Sequence, residues 1–332
     1  MPSADSPLSP PPPDQGDAAN RAASPSGGGS DAHSSQREPL VSTGLLRQVL
    51  TRPFQRSTEH RAPSRAGRNL PAAIAVAVVL IGALVTGLFF VPLVLALLAG
   101  AAAGIGVWEI ARSLTYKGVQ IPKVPAVLAA VAMPLAAFFG GAEWLSMALV
   151  LSVTLVVVWR AFGSREGMML SMMGSIFALV WASFLLSTAV LLYHSPDGPQ
   201  KVLTVILLAV SSDTFGYAVG VVWGKHPMAP KISPKKSWEG FAGSLGGAVV
   251  VGVLCAVLLL GIPWWQGAVL AVAIVAVATV GDFSESMVKR EIGIKDMGTL
   301  LPGHGGVMDR IDSILFAVIT GYVIFELFSV LG

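Results

Sequence analysis

Long apolar runs fill the chain from residue 70 onward, and they limit the possible folds more than any other feature. Of the 332 residues, 54% are hydrophobic and only 12% are charged, whereas a soluble domain carries about 25% charged residues. Many runs approach the roughly 20 residues that an α-helix needs to cross a bilayer. The sequence therefore predicts an all-α, polytopic integral membrane protein.

We predict about nine transmembrane helices in this part of the chain. Their approximate bounds are 70–89, 91–111, 124–140, 143–161, 169–192, 201–222, 241–262, 264–281 and 308–330. Glycines four residues apart, as in the pairs Gly216/Gly220 and Gly243/Gly247, are typical of helices that approach each other closely in lipid.

Basic residues fall in alternate loops of this arrangement. The loops that carry them are 112–123, 160–168, 223–240 and 282–307, and Lys201 is the one basic residue in the other loops. Cytoplasmic loops of membrane proteins carry an excess of Lys and Arg. The pattern predicts a cytoplasmic N-terminus, a C-terminus outside, a cell (plasma or inner) membrane location, and charged motifs that face the cytoplasm.

The first 69 residues differ in composition from the rest. They are rich in Pro, Ser, Gly and Asp, so they cannot bury enough apolar surface to offset the entropy cost of ordering. We predict a disordered cytoplasmic tail over 1–69 and a transmembrane catalytic domain over 70–332, with the motif-bearing part at 211–313.

The formal charge of +3 gives no reason to expect a nucleic acid partner. The single cysteine, Cys255, excludes an internal disulfide and a cysteine-based zinc site.

Residues 281–313 gather ionisable groups between two apolar segments. Asp282 closes one predicted span, and Asp309 and Asp312 share a face at the start of the next. Carboxylates suit a hard cation such as Mg²⁺, which keeps waters and is completed by substrate phosphates. The alternative is ion pairing of these carboxylates with Arg290 and Arg310.

Asp213 lies inside the predicted sixth span. A carboxylate near a bilayer centre costs about 2.5–3.5 kcal/mol on insertion scales, so it should face a protein interior or water and have a partner. The alternative to a functional role is a hydrogen bond to Ser211, Ser212 or Thr214.

Two segments have the features of anion sites. Ser233 and Pro234 are a candidate N-cap and first residue of a helix, which would place Lys235 and Lys236 in its first turn. Free N–H groups and the helix dipole favour anions there. The alternative is that the lysines serve only as a topology signal.

The second candidate anion site is the glycine-rich segment before the last predicted span. Its residues His304, Gly305 and Gly306 could bring backbone N–H groups and an imidazole to a phosphate. His304 could equally be a loop residue without a function.

Carboxylates, a lysine pair and a glycine-rich helix start together favour phosphoryl or nucleotidyl transfer, in which metal ions clamp the attacking and leaving oxygens. Because the motifs lie at the lipid boundary, a lipid substrate is expected.

At these residues the chain closely resembles the phosphatidate cytidylyltransferase (CDP-diacylglycerol synthase) family, whose motif reads S-x-x-K-R-x4-K-D-x-G-x2-L-P-x-H-G-G-x2-D-R-x-D. The matching positions are Ser286, Lys289, Arg290, Lys295, Asp296, Gly298, Leu301, Pro302, His304, Gly305, Gly306, Asp309, Arg310 and Asp312. The Ser-Asp-Thr element at Ser212 and the Ser-Pro-Lys-Lys element at Ser233 also resemble the family, with Ser237 where Thr is more usual. The resemblance covers about residues 70–332.

The resemblance implies a Mg²⁺-dependent reaction of CTP with phosphatidic acid that gives CDP-diacylglycerol and pyrophosphate. It also implies a homodimer of multi-span subunits in contact with membrane lipids, and a polar cavity open to cytoplasm and bilayer. Asp282 and Asp309 match acidic positions of the family's metal centre, which takes one or two Mg²⁺ ions and is also associated with K⁺.

Together these inferences assign Asp282 and Asp309 to Mg²⁺, supported by Asp312. The residues expected to contact the phosphates of the two substrates are Ser233, Lys235, Lys236, Ser237, Ser286, Lys289, Arg290, Lys295, His304, Gly305, Gly306 and Arg310, while Asp213 orders the cavity. The alternatives are another CTP-dependent lipid kinase or lipid cytidylyltransferase of the same fold, and an ion-coupled transporter. The sequence shows no repeated halves of the kind that many transporters have, which argues against the transporter.

Overall fold

The structure of the protein is a computed structural model, and it describes residues 70–163, 166–300 and 305–331. The predicted tail over 1–69 lies outside the described residues, as do Leu301, Pro302 and His304 of the motif.

The described chain is a bundle of eight helices with one small hairpin. The helices are α1 (Leu70–Phe89), α2 (Pro92–Leu114), α3 (Lys123–Ala161), α4 (Met168–Tyr193), α5 (Gly198–Trp223), α6 (Trp238–Leu260), α7 (Trp264–Ile292) and α8 (Met308–Leu331). A single 3-10 turn, Thr115–Lys117, follows α2, and π-helical turns occur at Leu179–Phe184 in α4 and Cys255–Leu260 in α6. The all-α prediction is therefore confirmed.

Seven helices in the described part of the chain are long and apolar enough to cross a membrane, and the apolar helix Ile74–Phe89 is shorter. The chain is a multi-pass membrane protein. The predicted spans 124–140 and 143–161 form the two parts of α3, which bends at Gly141 because that residue has a left-handed φ of 64° and a ψ of −153°. The count of about nine spans and their orientation stay predictions.

The hairpin between α5 and α6 corrects one local prediction. Strands β1 (Pro227–Ala229) and β2 (Ser233–Ser237) pair antiparallel, so Lys235 and Lys236 lie on a strand and not in a helical turn. The N-cap of α6 is Ser237, whose Oγ accepts the N–H of Gly240 at 3.1 Å. The prediction that Ser233 and Pro234 begin a helix is wrong. Pro has no N–H group and suits the first turn of a helix, but it is also tolerated on an edge strand, where Pro234 lies.

Small residues allow the helices that carry the motifs to approach closely. A Cβ added to Gly216 of α5 would lie 2.2 Å from Ser244 Oγ of α6, and one added to Gly247 would lie 2.2 Å from the Phe215 ring. The predicted close approach at these glycines is confirmed. Helices α6 and α7 meet in the same way, since a Cβ on Gly252 would lie 2.5 Å from the carbonyl oxygen of Gly267.

Buried side chains form two apolar clusters. One lies mainly among α2, α3 and α4 and includes Val107, Ile110 and Met133, and it also takes in Met297 and Met308 from the motif region. The other lies mainly among α5, α6, α7 and α8 and includes Leu208 and Ile274. The start of α8 therefore packs in the first cluster, with α2, α3 and α4. This packing links those helices to the charged end of the bundle.

The α6–α7 contact gives a stability prediction. Gly252→Ala should lower the melting temperature in detergent, because the added methyl group meets backbone atoms of α7 and overpacking costs about 1–3 kcal/mol. Gly246→Ala on the same helix is the control, because a Cβ there meets nothing within 4 Å and Ala favours a helix over Gly by about 1 kcal/mol. Equal melting temperatures for the two variants would contradict the close contact.

Candidate active site

Helix α7 brings three charged side chains to one end of the bundle. It continues past its apolar part to Ile292, so Asp282, Glu285 and Lys289 lie on successive turns of one helix face. The helix is therefore longer than the predicted span 264–281. The helix ends at Gly293, which has a left-handed φ of 85°.

Lys289 lies between two carboxylates. Its Nζ forms an ion pair with Glu285, one turn back on α7, and a second with Asp309 Oδ1 at 3.0 Å. The Glu285 and Asp309 side chains are only 1% and 7% exposed. Charges buried to this degree need a partner, because desolvation costs each of them several kcal/mol. Lys289 therefore joins α7 to the start of α8.

Asp309 is further fixed by the loop that precedes α8. The N–H of Met297 donates to both of its carboxylate oxygens, at 3.1 and 3.0 Å, and the N–H of Gly306 donates to Oδ2 at 3.0 Å. Charge-assisted bonds of this kind are stronger than neutral ones. Asp309 thus organises the loop as well as pairing with Lys289.

Asp282 forms its ion pair with the hairpin. Lys236 of β2 donates to Asp282 Oδ2, and its Nζ also lies 4.9 Å from the centre of the Phe283 ring. Arg290, two turns further along α7, donates from Nε to the carbonyl oxygen of Ile232 at 3.4 Å. These contacts hold the hairpin against the charged end of α7.

A cavity of about 320 Å³ opens beside this ion pair. Helices α5, α6 and α7 and the hairpin line it. Its polar lining includes Asp213, Asp282, Lys235 and Lys236, with the hydroxyl groups of Ser212, Ser233, Ser237, Ser244 and Thr279. Cations, anions and hydroxyl groups therefore face one space, as phosphate binding next to a cation site requires.

Asp213 of α5 faces this cavity and contacts α8. The Oγ of Ser313 donates to Asp213 Oδ2 at 3.3 Å, whereas Ser211 and Thr214 bond to backbone carbonyl groups of α5 itself. The structure therefore shows no hydrogen bond from Ser211 or Thr214 to Asp213, which was the alternative to a functional role. Asp213 instead connects α5 to the acidic start of α8.

Five carboxylates lie in sequence across this end of the bundle, and we call them the carboxylate row: Asp213, Asp282, Asp312, Glu285 and Asp309. Neighbouring members are close enough for their charges to interact. Lys236 and Lys289 neutralise the row at two places. Such a row of like charges is stable only with cations or protons beside it.

The middle of the row fits a cation. Glu285 Oε1 is buried and receives no hydrogen bond from the described residues, and the Glu285 carboxyl group also interacts directly with that of Asp312. Two carboxyl groups in contact need a shared proton or a cation, and carboxylate oxygens are the ligands that Mg²⁺ prefers. Among residues 70–163, 166–300 and 305–331, no group of three or more His, Cys, Asp or Glu residues is placed to hold a metal by itself.

Comparison with known proteins identifies the class to which this site belongs. Residues 71–328 match the model of the cytidylyltransferase family. A phosphatidate cytidylyltransferase of Mycobacterium leprae is 37% identical over 319 residues, which cover 87% of this chain and 98% of that protein. The chain belongs to the cytidylyltransferase family.

Two more relatives carry the same printed name. The phosphatidate cytidylyltransferase of Mycobacterium tuberculosis H37Rv is 38% identical over 277 residues, covering 80% of this chain and 84% of that protein. That of Brucella abortus 2308 is 38% identical over 152 residues, covering 46% of this chain and 56% of that protein. The family resemblance seen in the sequence is therefore confirmed, and the range that matches the family model, residues 71–328, spans every residue assigned to the site.

The site of this cytidylyltransferase does not bring all the predicted residues together. Lys295 is exposed in the loop after α7, and Ser286 lies on α7. The Gly306 N–H, expected to meet phosphate, is bonded to Asp309. Gly305 has a left-handed φ of 81° beside that carboxylate. The phosphate roles of these residues stay predictions, as does that of His304, which lies outside the described residues.

Two acidic residues of the site were missed by sequence reasoning. Glu285 was counted among the charges of the motif stretch but was given no role. Glu109 was overlooked within the apolar run of α2, although its side chain is 0% exposed and accepts the N–H groups of Val307 and Met308. A lone carboxylate inside a predicted span was the available signal.

The Lys289 contacts predict a large effect on stability. Lys289→Met should lower the melting temperature strongly, because removing one partner of a buried ion pair costs about 3–5 kcal/mol. Lys117→Met is the control, since its ion pair with Glu291 is exposed and 3.8 Å long and should matter little. Adding Glu285→Gln to Lys289→Met should recover part of the loss, because one unpaired charge is removed. No recovery in the double variant would contradict the proposed pairing.

Proposed function

We propose that the protein transfers the cytidylyl group of CTP to phosphatidate, which gives CDP-diacylglycerol and pyrophosphate. The observation that carries the proposal is the cavity in which Lys235 and Lys236 face Asp213 and Asp282 at the end of a membrane-spanning bundle. Cationic groups beside carboxylates suit the phosphates of two substrates held around a divalent cation. The relatives named phosphatidate cytidylyltransferase support this choice of substrates.

In the proposed reaction, a phosphate oxygen of phosphatidate attacks the α-phosphorus of CTP. A new P–O bond forms, the bond from the α-phosphorus to the bridging oxygen breaks, and pyrophosphate leaves with that electron pair. Phosphatidate is already anionic near neutral pH, so no strong general base is needed. The protein contributes by positioning the two phosphates and by stabilising the charge that develops on them.

The lysines of the hairpin are placed for that role. Lys236 now bonds to Asp282 at the edge of the cavity. An incoming phosphate would compete with Asp282 for the Lys236 ammonium group and could release carboxylate oxygens for a cation. Lys235 lines the same cavity and adds a second positive charge. Ser233 and Ser237 add hydroxyl donors on the same strand.

Mg²⁺ is part of the proposal. Asp282, Asp312 and Glu285 would supply carboxylate ligands, because Asp312 interacts with both of the other two. Substrate phosphates and waters would have to complete the coordination, since these described carboxylates do not form a metal site by themselves. When bound there, Mg²⁺ would supply positive charge to stabilise the phosphates of the two substrates. Asp309, a ligand in the sequence-based assignment, has both oxygens bonded to Met297, with Lys289 and Gly306 adding one bond each. Its place in the metal shell stays a prediction.

The location and assembly of the enzyme complete the proposal. The basic loops support an active site that faces the cytoplasm from the plasma or inner membrane. That orientation would bring the cavity to soluble CTP and to phosphatidate of the inner leaflet. The homodimer and the association of K⁺ with the metal centre, both implied by the family resemblance, stay predictions.

Release of pyrophosphate from CTP tests the function directly. Purified protein in mixed micelles should release pyrophosphate only when phosphatidate and Mg²⁺ are both present. A panel of acceptors, with diacylglycerol and a polyprenol beside phosphatidate, separates this activity from that of a lipid kinase of the same fold. Equal activity with a polyprenol, or phosphorylation of diacylglycerol without pyrophosphate release, would contradict the proposal.

Asp282→Asn tests the carboxylate row. It should lower kcat by at least ~100-fold, because losing one charge-stabilising group from a preorganised site costs about 10²–10³ in rate. Asp197→Asn is the matched control. Asp197 is an exposed residue with a φ of 54° before α5, and Asn tolerates that left-handed conformation as well as Asp does. Wild-type kcat in a folded Asp282→Asn protein at saturating Mg²⁺ would contradict the assignment.

A further inference from the structure

Glu109 lies on α2, far along the chain from the motif region, yet it caps the helix that carries Asp309. The N–H of Val307 donates to Glu109 Oε1 at 3.1 Å, and the N–H of Met308 donates to Oε2 at 2.8 Å. Val307 and Met308 lie 198 and 199 positions after Glu109 in the sequence. Because the carboxylate is fully buried, these bonds offset the cost of its desolvation.

Ser113 provides a second contact one turn further along α2. Its Oγ donates to the carbonyl oxygen of Met297 at 3.1 Å, and its side chain is also buried. Residues four apart share a helix face. One face of α2 therefore holds both flanks of the segment between α7 and α8, which we call the signature loop (residues 293–300 and 305–307 of the described chain).

The signature loop passes so close to Glu109 that side chains are excluded. A Cβ added to Gly298 would lie 2.1 Å from Glu109 Oε1, and one added to Gly306 would lie 2.7 Å from Oε2. Neither glycine has a left-handed φ, so space and not backbone conformation requires glycine there. The buried carboxylate thus gives a physical reason for two glycines of the motif.

The contacts of Glu109 lead directly to Asp309. In the described part of the chain, the backbone N–H groups that donate to Asp309 belong to Met297 and Gly306. Ser113 bonds to Met297, and Gly306 directly precedes Val307 and Met308, which bond to Glu109. If Glu109 releases the start of α8, Asp309 loses the support that keeps it against Lys289.

We propose that Glu109 is a positioning residue for the cytidylyl transfer, which acts by fixing the signature loop and Asp309. The proposal rests on the proposed function for its kinetic part. Glu109 itself bonds only backbone N–H groups in the described chain, so its effect should appear in turnover and not in substrate affinity. Its role in the loop is independent of which substrate is used.

Three variants test the proposal: Glu109→Gln, Glu109→Asp and the control Glu143→Gln. Glutamine keeps the shape of the side chain but replaces one acceptor oxygen with an NH₂ group, so one buried N–H loses its partner. Aspartate keeps the charge and both acceptors on a shorter stem. Glu143 is an exposed residue of α3, so its change to glutamine removes the same charge away from the site.

We expect Glu109→Gln to lower kcat by about 10–100-fold, as losses of supporting contacts around reactive sites do, with KM for CTP and phosphatidate changed less than about threefold. Glu109→Asp should recover part of kcat, and Glu143→Gln should match wild type. A wild-type kcat for Glu109→Gln would overturn the proposal, as would an increase in KM large enough to account for the loss.

Hydrogen–deuterium exchange without substrates gives the second readout. In Glu109→Gln, peptides that contain Val307 and Met308 should exchange at least about fivefold faster, because one hydrogen bond is worth roughly 1 kcal/mol. Peptides of α5 and α6 should exchange as in wild type. Faster exchange everywhere, with a lower melting temperature, would indicate a general structural role and overturn the proposal. If Glu109→Gln does not fold, Glu109→Asp must show the same local change.

The two readouts also separate this proposal from the proposed function. A wild-type protein that releases no pyrophosphate from CTP would overturn the function. The exchange measurement would still decide whether Glu109 holds the loop, because it needs neither CTP nor lipid.

Discussion

Neutralisation of buried carboxylates is the constraint on which this structure depends. Carboxylates withdrawn from water at a membrane boundary cost several kcal/mol each unless charges or N–H groups replace their hydration. Lys289 and Lys236 supply the charges, and the backbone of the signature loop supplies N–H groups to Asp309 and Glu109. Apart from the Lys289–Glu285 pair within α7, these contacts join different parts of the chain and so hold them together.

The helix crossings make that arrangement possible. Glycines at the α5–α6 and α6–α7 contacts let the backbones approach closely, which brings the hairpin and its lysines beside the extended end of α7. Bulky residues at those contacts would move Lys236 away from Asp282. The apolar bundle thus sets the geometry of the polar site, although it contributes none of its charges.

Much of the fold and site could be predicted because the signals are local in sequence. Apolar runs predicted the membrane helices, and the motif spacing predicted the family. The motif also contains both Lys289 and Asp309, which the structure pairs, whereas Asp282 pairs with Lys236 of the hairpin. Spacing also led to one wrong prediction, because Ser233 and Pro234 suit a helix start and an edge strand equally well. Only the antiparallel pairing with Pro227–Ala229 decides between them.

The parts that escaped prediction depend on contacts between distant segments. Glu109 lies 198 residues from Val307, and nothing near it in the sequence indicates which backbone groups it meets. Gly306 was assigned to phosphate and Gly298 was given no role, whereas the structure shows both glycines passing close to a buried carboxylate. The partners of Asp282 and Asp213 likewise come from a strand and a helix that local periodicity cannot bring together.

The size of the cavity has a consequence for how such an enzyme would recognise its lipid. At about 320 Å³, it lies at the lower end of the roughly 300–1,000 Å³ typical of small-molecule pockets. A phosphorylated headgroup fits a space of that size, but two long acyl tails do not. The tails would stay in the surrounding bilayer while the headgroup reacts, so the residues that line this cavity would contact the headgroup and not the chains.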